Sequence, residues 1–259
     1  MRQSIKNRKG LEIVLHIKKS ESPKGTAIVM HGLGGYKEQP HIERFAKSFE
    51  KSGYTVVTFD TTNSIGESGG KMEDAKITTY YQDLEDVITW VEKQSWFAKP
   101  FVLSGHSLGG FSVAFYAENY PSKVFAIAPI SPFVSGKMSV EAHNTHEPEE
   151  FKKWEETGWQ IKESNSKPEV IKKLPWSHIA DRLKYNLLEK IEKLTMPVLL
   201  IVGEDDTSTP PQHVQVLYDN IPSTKKEIHI IKNAPHTFKD SNHLEEIEKL
   251  FLAWIEKLK

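Results

Sequence analysis

The sequence predicts an α/β fold, with a mostly parallel central sheet flanked by helices and one helical insertion. Three observations carry this. Short apolar runs rich in β-branched residues alternate with helix-period segments along most of the 259 residues. The alternation lapses once, between Pro132 and Leu188. Glycine-rich or turn-forming stretches follow directly on several of the apolar runs, where open α/β sheets carry their ligand loops.

The elements follow in order. Leu11 to Ile17 alternates apolar and polar residues, as a half-buried strand does. Thr26-Ala27-Ile28-Val29-Met30 is short and unbroken, which suits a strand covered on both faces. Helical spacing runs from His41 to Lys51 and stops at Gly53. Tyr54 to Phe59 is a strand, and Asp60 to Gly70, rich in Ser, Thr and Gly, is a loop. Tyr80, Leu84, Val87, Ile88 and Val91 form one helix face. Phe101-Val102-Leu103 is a strand, and Leu108 to Tyr120 a helix ended by Pro121. Val124 to Ile130 is the next strand. Residues 132–188 then show helical patches, such as Glu147 to Thr157 and Glu169 to Leu174, and no buried strand. Trp154, Trp159 and Trp176 argue that this stretch is ordered, because aromatics are depleted in disordered chains. It reads as a helical cap inserted into a core made of 1–131 and 189–259. The rhythm resumes with the strand Val198 to Val202, a helix near Gln212 to Asp219 and the strand Ile228 to Ile231. A last helix carries Leu244, Ile247, Phe251 and Trp254 on one face.

Composition narrows the function. With 34 basic and 35 acidic side chains the formal net charge is −1, which offers no field to gather nucleic acid or an anionic membrane. Cysteine is absent, so disulfides, thiolate metal sites and a cysteine nucleophile are excluded. No apolar run reaches the ~20 residues of a membrane span. The basic N-terminus, Met1 to Lys9, has no apolar stretch behind it, so a cytoplasmic location is expected. Nothing indicates the oligomeric state.

Gly105-His106-Ser107-Leu108-Gly109 lies between a predicted strand and a predicted helix. A tight strand-to-helix turn lifts the Ser107 hydroxyl above the sheet at the positive end of the helix, and glycines admit the close backbone approach. His31-Gly32-Leu33-Gly34-Gly35 ends another strand. Acyl transfer needs two N–H donors aimed at the developing oxyanion. The N–H groups of Leu33 and Leu108 are the candidates, while His31 reads as a structural residue and Gly34-Gly35 can equally be a loop feeding the next helix. Gly203-Glu204-Asp205-Asp206-Thr207-Ser208-Thr209-Pro210 follows a strand and offers three acids that could orient a histidine. Ala234-Pro235-His236-Thr237-Phe238 follows the last strand, and among eleven histidines His236 combines the right loop with the right chain order. His143-x-x-His146 with Glu147 and Glu149 has loose metal-ligand spacing, but it reads as a hydrated cap face, and no metal is expected. Phosphate-loop and dinucleotide-binding patterns are absent.

Ser, then acid, then His is the chain order of the α/β-hydrolases. The His-Gly loop, the Gly-x-Ser-x-Gly turn and the terminal acid and His together resemble that superfamily over nearly the whole chain. The resemblance implies an α/β-hydrolase fold. It selects Asp206 among the three acids, because the family's acid stands three residues after the glycine and four before the proline. It implies the catalytic set Ser107, Asp206 and His236, with no metal or organic cofactor. Within the superfamily the chain resembles lidded feruloyl and cinnamoyl esterases and monoacylglycerol-lipase-like enzymes. Gly66-Glu67-Ser68-Gly69-Gly70 resembles a second Gly-x-Ser-x-Gly stretch of these proteins; no buried strand runs directly into it and no helix opens at Ser68, so it is no rival nucleophile turn. Asp60-Thr61-Thr62-Asn63-Ser64-Ile65 departs from the Asp-x-Arg-Gly of many relatives. The expected activity is hydrolysis of small-molecule carboxylic esters through an acyl-enzyme on Ser107. Aromatic or short-chain acyl esters are the expected substrates, with Trp154, Trp159 and Trp176 as cap candidates for binding. A thioesterase or monoacylglycerol lipase would use the same residues. A low-turnover binding protein on the same scaffold is the alternative of another class.

Overall fold

The computed structural model describes residues 1–164 and 166–258. Eight strands form one sheet: β1 (Arg2–Lys6), β2 (Glu12–Lys18), β3 (Thr26–Met30), β4 (Thr55–Phe59), β5 (Phe101–His106), β6 (Ala126–Ile130), β9 (Val198–Gly203) and β10 (Lys226–Ile231). Their spatial order is β1-β2-β4-β3-β5-β6-β9-β10. The first two pairings are antiparallel and the other five parallel. The mostly parallel sheet read from the sequence is therefore present. β1 went unread, because it lies at the sheet edge with most of its residues exposed and so carries no apolar run.

Helices cover both faces. α1 (Pro40–Lys51) and α8 (Ser241–Glu256) pack Phe45, Phe49, Phe251 and Trp254 against Ala27, Val29 and Val102. α2 (Ile77–Val91), α3 (Leu108–Asn119) and α7 (Pro211–Asn220) pack Tyr80, Leu84, Phe111 and Leu217 against Ile28, Leu103 and Leu200. Adjacent residues of β3 thus serve opposite cores, which explains its unbroken apolar run. The chain passes from β3 outward to β4 and then returns to place β5 on the other side of β3. This reversal opens a crevice at the carboxyl ends of β3 and β5, the usual ligand position in such sheets.

Between β6 and β9 lie α4 (Gly136–His146), α5 (Pro148–Thr157), the hairpin strands β7 (Trp159–Glu163) and β8 (Ile171–Pro175), and α6 (Ser177–Arg182). The insertion is therefore not purely helical, and Glu169 to Leu174 is largely strand, not helix. The hairpin lies on the surface, with Trp159, Ile161 and Ile171 exposed, so it leaves no buried apolar run in the sequence. α6 is fixed to the base of α2. Asp181 accepts hydrogen bonds from the Thr78 N–H at 3.0 Å and from Thr78 Oγ1 at 2.8 Å, and His178 Nδ1 contacts the Ala75 carbonyl at 2.9 Å. A carboxylate at the first turn of α2 is also favoured by the helix dipole.

One core residue carries a stability cost. Glu118, on the buried side of α3, leaves Oε1 without a hydrogen-bond partner among the described residues. Burial, against the pull of Lys190, pushes its carboxyl up from 4.5 to about 8. The native carboxyl thus holds its proton more tightly than the unfolded one, and stability falls as pH rises from about 4.5 to about 8. Glu118→Gln removes this dependence. Thermal scans should show a Tm gain for the variant that is small at pH 5 and about 5 °C or more at pH 8.5, since one pKa unit is ~1.4 kcal/mol and ~1 kcal/mol moves Tm by ~2–4 °C in a chain of this size. A gain independent of pH would refute the assignment.

Candidate active site

Ser107 joins β5 to α3 with φ 55° and ψ −117°, a conformation that non-glycine residues rarely hold. Its N–H donates to the Ile130 carbonyl at 2.9 Å, and its carbonyl accepts from the Phe111 N–H at 2.9 Å. The turn presses against β3: a Cβ on Gly109 would lie 2.5 Å from the His31 carbonyl oxygen. One on Gly105 would lie 2.5 Å from the Gly109 backbone. Glycine at both positions is a packing requirement.

The side chains expected from sequence converge here. Ser107 Oγ lies 2.9 Å from His236 Nε2, and His236 Nδ1 lies 2.8 Å from Asp206 Oδ2. With its Nδ1–H donated to the carboxylate, the imidazole presents Nε2 as acceptor to the hydroxyl. Asp206 is buried. Burial alone would raise its pKa, but the charge and hydrogen bond of His236, with the N–H and hydroxyl of Thr209, hold it below the ordinary carboxylate range. Glu204 instead accepts from the Asn233 N–H at 2.9 Å, and both Glu204 and Asp205 are exposed.

The loop after β3 orients a peptide. The Gly32 carbonyl accepts from the Gly35 N–H at 3.0 Å and contacts His31 Nδ1 at 2.7 Å. The Thr61 N–H donates to His31 Nε2 at 3.0 Å, so the proton of this fully buried, neutral ring sits on Nδ1. Burial pushes the His31 pKa down, in keeping with that state. In a trans peptide the N–H points opposite to the carbonyl, so fixing the Gly32 oxygen fixes the direction of the Leu33 N–H. The Gly34 N–H is taken by Tyr80 Oη at 3.0 Å. Leu108 opens α3, where N–H groups have no acceptor within the helix. Leu33, Leu108 and Ser107 line one cavity.

That cavity measures about 230 Å³, and Phe133, Ser139, His143, Glu147, Lys162 and Arg182 also border it. A second, of about 250 Å³, also reaches Ser107 and His236 and is bordered by Gln39, Ser166 and Lys172. Glu147 and Lys162 border both. Lys162 Nζ lies 2.7 Å from Glu147 and 2.6 Å from Glu150, so an ammonium already sits between these carboxylates. His143 lies 3.1 Å from Glu147, but His146 and Glu149 do not join the cluster.

None of the three tryptophans is among the residues bordering either cavity. Trp154 is buried and packs edge-on against Trp176, with ring centroids 5.5 Å apart, and Trp159 is exposed. Ser68 Oγ is engaged with backbone, donating to the Asp60 carbonyl at 2.6 Å and accepting from the Val14 N–H at 2.8 Å. Sequence reasoning missed Thr209, whose hydroxyl donates to Asp206 Oδ2 at 2.8 Å and reaches the Ser131 carbonyl at 3.1 Å. Its position three residues after Asp206 in a turn was the available signal. Arg182 and Lys162 carried none, since cavity walls built across an insertion have no local pattern.

Residues 21–240 match the hydrolase family described as Serine aminopeptidase, S33. The thermostable monoacylglycerol lipase of Bacillus sp. (strain H-257) is 26% identical over 81% of this chain and 81% of its own. The mitochondrial palmitoyl-protein thioesterase ABHD10 of Bos taurus is 26% identical over 84% of this chain and 67% of its own. In fold, the chain is similar to Est1E from Butyrivibrio proteoclasticus, solved with ferulic acid bound, at TM-score 0.80 and 20% identity over 99% and 98% of the two chains.

If the carboxylate holds the imidazole tautomer, Asp206→Asn should leave the fold intact. It should slow labelling of Ser107 by a fluorophosphonate probe by about three to four orders of magnitude, as loss of the acid does in other such triads. Labelling at the parent rate would contradict the geometry.

Proposed function

The chain belongs to the α/β-hydrolase superfamily, in its Serine aminopeptidase S33 family of hydrolases, and on that premise we propose that it hydrolyses small carboxylic esters through an acyl-enzyme on Ser107. The observation that carries the reading is the continuous line of hydrogen bonds from Ser107 Oγ through His236 to Asp206. His236 Nε2 takes the proton as Ser107 Oγ attacks the ester carbonyl, and Asp206 stabilises the imidazolium. The N–H groups of Leu33 and Leu108 receive the oxyanion; such donors are worth ~3–4 kcal/mol each in comparable enzymes. His236 then protonates the leaving alcohol, and water repeats the cycle on the acyl-enzyme.

Residues 132–188 act as a cap that walls the site, through Ser139, His143, Glu147, Lys162 and Arg182. Two cavities of about 230 and 250 Å³ meet at Ser107 and His236, which supports a reading with a short acyl group in one and a short alcohol in the other. The expectation of aromatic esters loses the support it drew from the tryptophans and keeps only the resemblance in fold to Est1E. The thioesterase relative supports a second reading, transfer from sulfur on the same residues. Among the described residues no helix is long and apolar enough to cross a membrane.

Ser107→Ala should abolish turnover of p-nitrophenyl butyrate while leaving the melting temperature within a few degrees of the parent. Retained turnover would sink the proposal. In the parent, butyrate esters should be cleaved faster than palmitate esters, and paired butyryl oxoesters and thioesters decide between the two leaving atoms.

A further inference from the structure

We propose that the ester taken by Ser107 carries a carboxylate, and that Arg182 is the residue that holds it. The proposal rests on the serine-hydrolase reading and specifies its substrate class. Arg182 closes α6 and borders the same cavity as Ser107, Leu108 and His236. A guanidinium offers five N–H donors. Among the described residues its side chain makes one hydrogen bond, from Nη1 to Ser139 Oγ at 3.2 Å, and no carboxylate pairs with it. The other charges at the cavity engage one another: a single ammonium, Lys162, is shared by the carboxylates of Glu147 and Glu150, and burial keeps His143 toward its neutral form.

Arg182 is half-buried, so its guanidinium is partly stripped of water at the cavity edge and has donors free for a partner. Burial lowers the Arg182 pKa to about 10 with no acid offsetting it, so the group stays charged at neutral pH yet lacks its partner. The missing partner fits a carboxylate, which meets the planar guanidinium fork through two parallel hydrogen bonds. Glu147 borders the same cavity, and its charge opposes a dianion more than a monoanion, which favours a carboxylate over a phosphate monoester. The cavity of about 230 Å³ suits a short chain between that carboxylate and the scissile carbonyl. Lys172 borders the other cavity and provides an internal comparison.

Two substrate pairs test this at pH 7.5. In the acyl arm, p-nitrophenyl hemiglutarate is compared with the ester whose free carboxylate is replaced by a dimethylamide. In the alcohol arm, O-acetyl-3-hydroxypropanoate is compared with its dimethylamide. In the parent, kcat/KM should favour the charged member of one pair by tenfold or more. Arg182→Gln should cut that ratio at least tenfold, mainly through KM, and Arg182→Lys should restore part of it. A purely structural role would lower both members together and leave the ratio unmoved. A parent with no preference in either pair overturns the proposal even if Arg182→Gln fails to fold. So does a ratio that survives Arg182→Gln but is lost in Lys172→Met. Fluorophosphonate labelling of Ser107 and Ser107-dependent turnover of the uncharged esters separate the two levels. If both are present without a charge preference, only the carboxylate assignment fails; if both are absent, the hydrolase reading fails first.

Discussion

The sharp turn at Ser107 is the constraint on which the site depends. A residue at φ 55° between a buried strand and a helix persists only if its surroundings hold it there. The Ile130 carbonyl fixes its N–H, α3 fixes its carbonyl, and two glycines let the turn seat against β3. The same seating brings Gly32 close: a Cβ there would stand 3.0 Å from the Ser107 Cβ. The loop that presents the Leu33 N–H and the turn that presents the hydroxyl are therefore positioned by one packing contact. Its location follows from the strand order, because the chain reverses direction across the sheet between β3 and β5.

Asp206 and His236 arrive from the far side of the sheet, on loops after β9 and β10, and a second set of bonds registers them. The Asp206 carboxylate accepts from the N–H groups of Ser208 and Thr209 and from the Thr209 hydroxyl, which also reaches the Ser131 carbonyl after β6. The His236 carbonyl lies 2.8 Å from Nε2 of His106, the neighbour of Ser107 in the chain. Burial, then the charge of His236, pushes the His106 pKa down to about 3, so this ring is a neutral donor at all working pH values. His236 is thus held at its backbone by β5 and at its ring by Asp206, and little of its orientation is left to the loop itself.

These features differ in how readable they were. Ser107, Leu33, Asp206 and His236 each sit in a short turn whose chemistry is local, so glycine, proline and strand context exposed them in the sequence. The parallel strands were legible for the same reason, since burial on both faces writes a continuous apolar run. Choosing Asp206 over its two acidic neighbours needed family spacing, because adjacent carboxylates look alike until burial separates them. β1 and the β7–β8 hairpin were illegible because solvent covers much of them and their polar residues obey no period. The tryptophans misled in a specific way. Trp154 and Trp176 are large apolar groups in a segment whose hairpin lies on the surface, so they build its core and not the cavity wall.

That division of labour explains why a charged wall can be held still. Trp154 packs against His178 and Trp176, while Asp181 and His178 bind the base of α2, so α6 is clamped on two sides. Arg182 is the last residue of this clamped helix. Binding groups are most accurate when their supporting element cannot relax. The clamp fixes the Arg182 backbone, and the hydrogen bond from Nη1 to Ser139 Oγ at 3.2 Å directs its side chain toward α4. On the opposite wall, Glu147, Glu150 and Lys162 form a partly exposed network at the junction of α4, α5 and β7, where water can compensate any movement. The unpaired charge therefore sits on the clamped element and the paired charges on the adaptable one, which puts the proposed binding group where its backbone is best fixed.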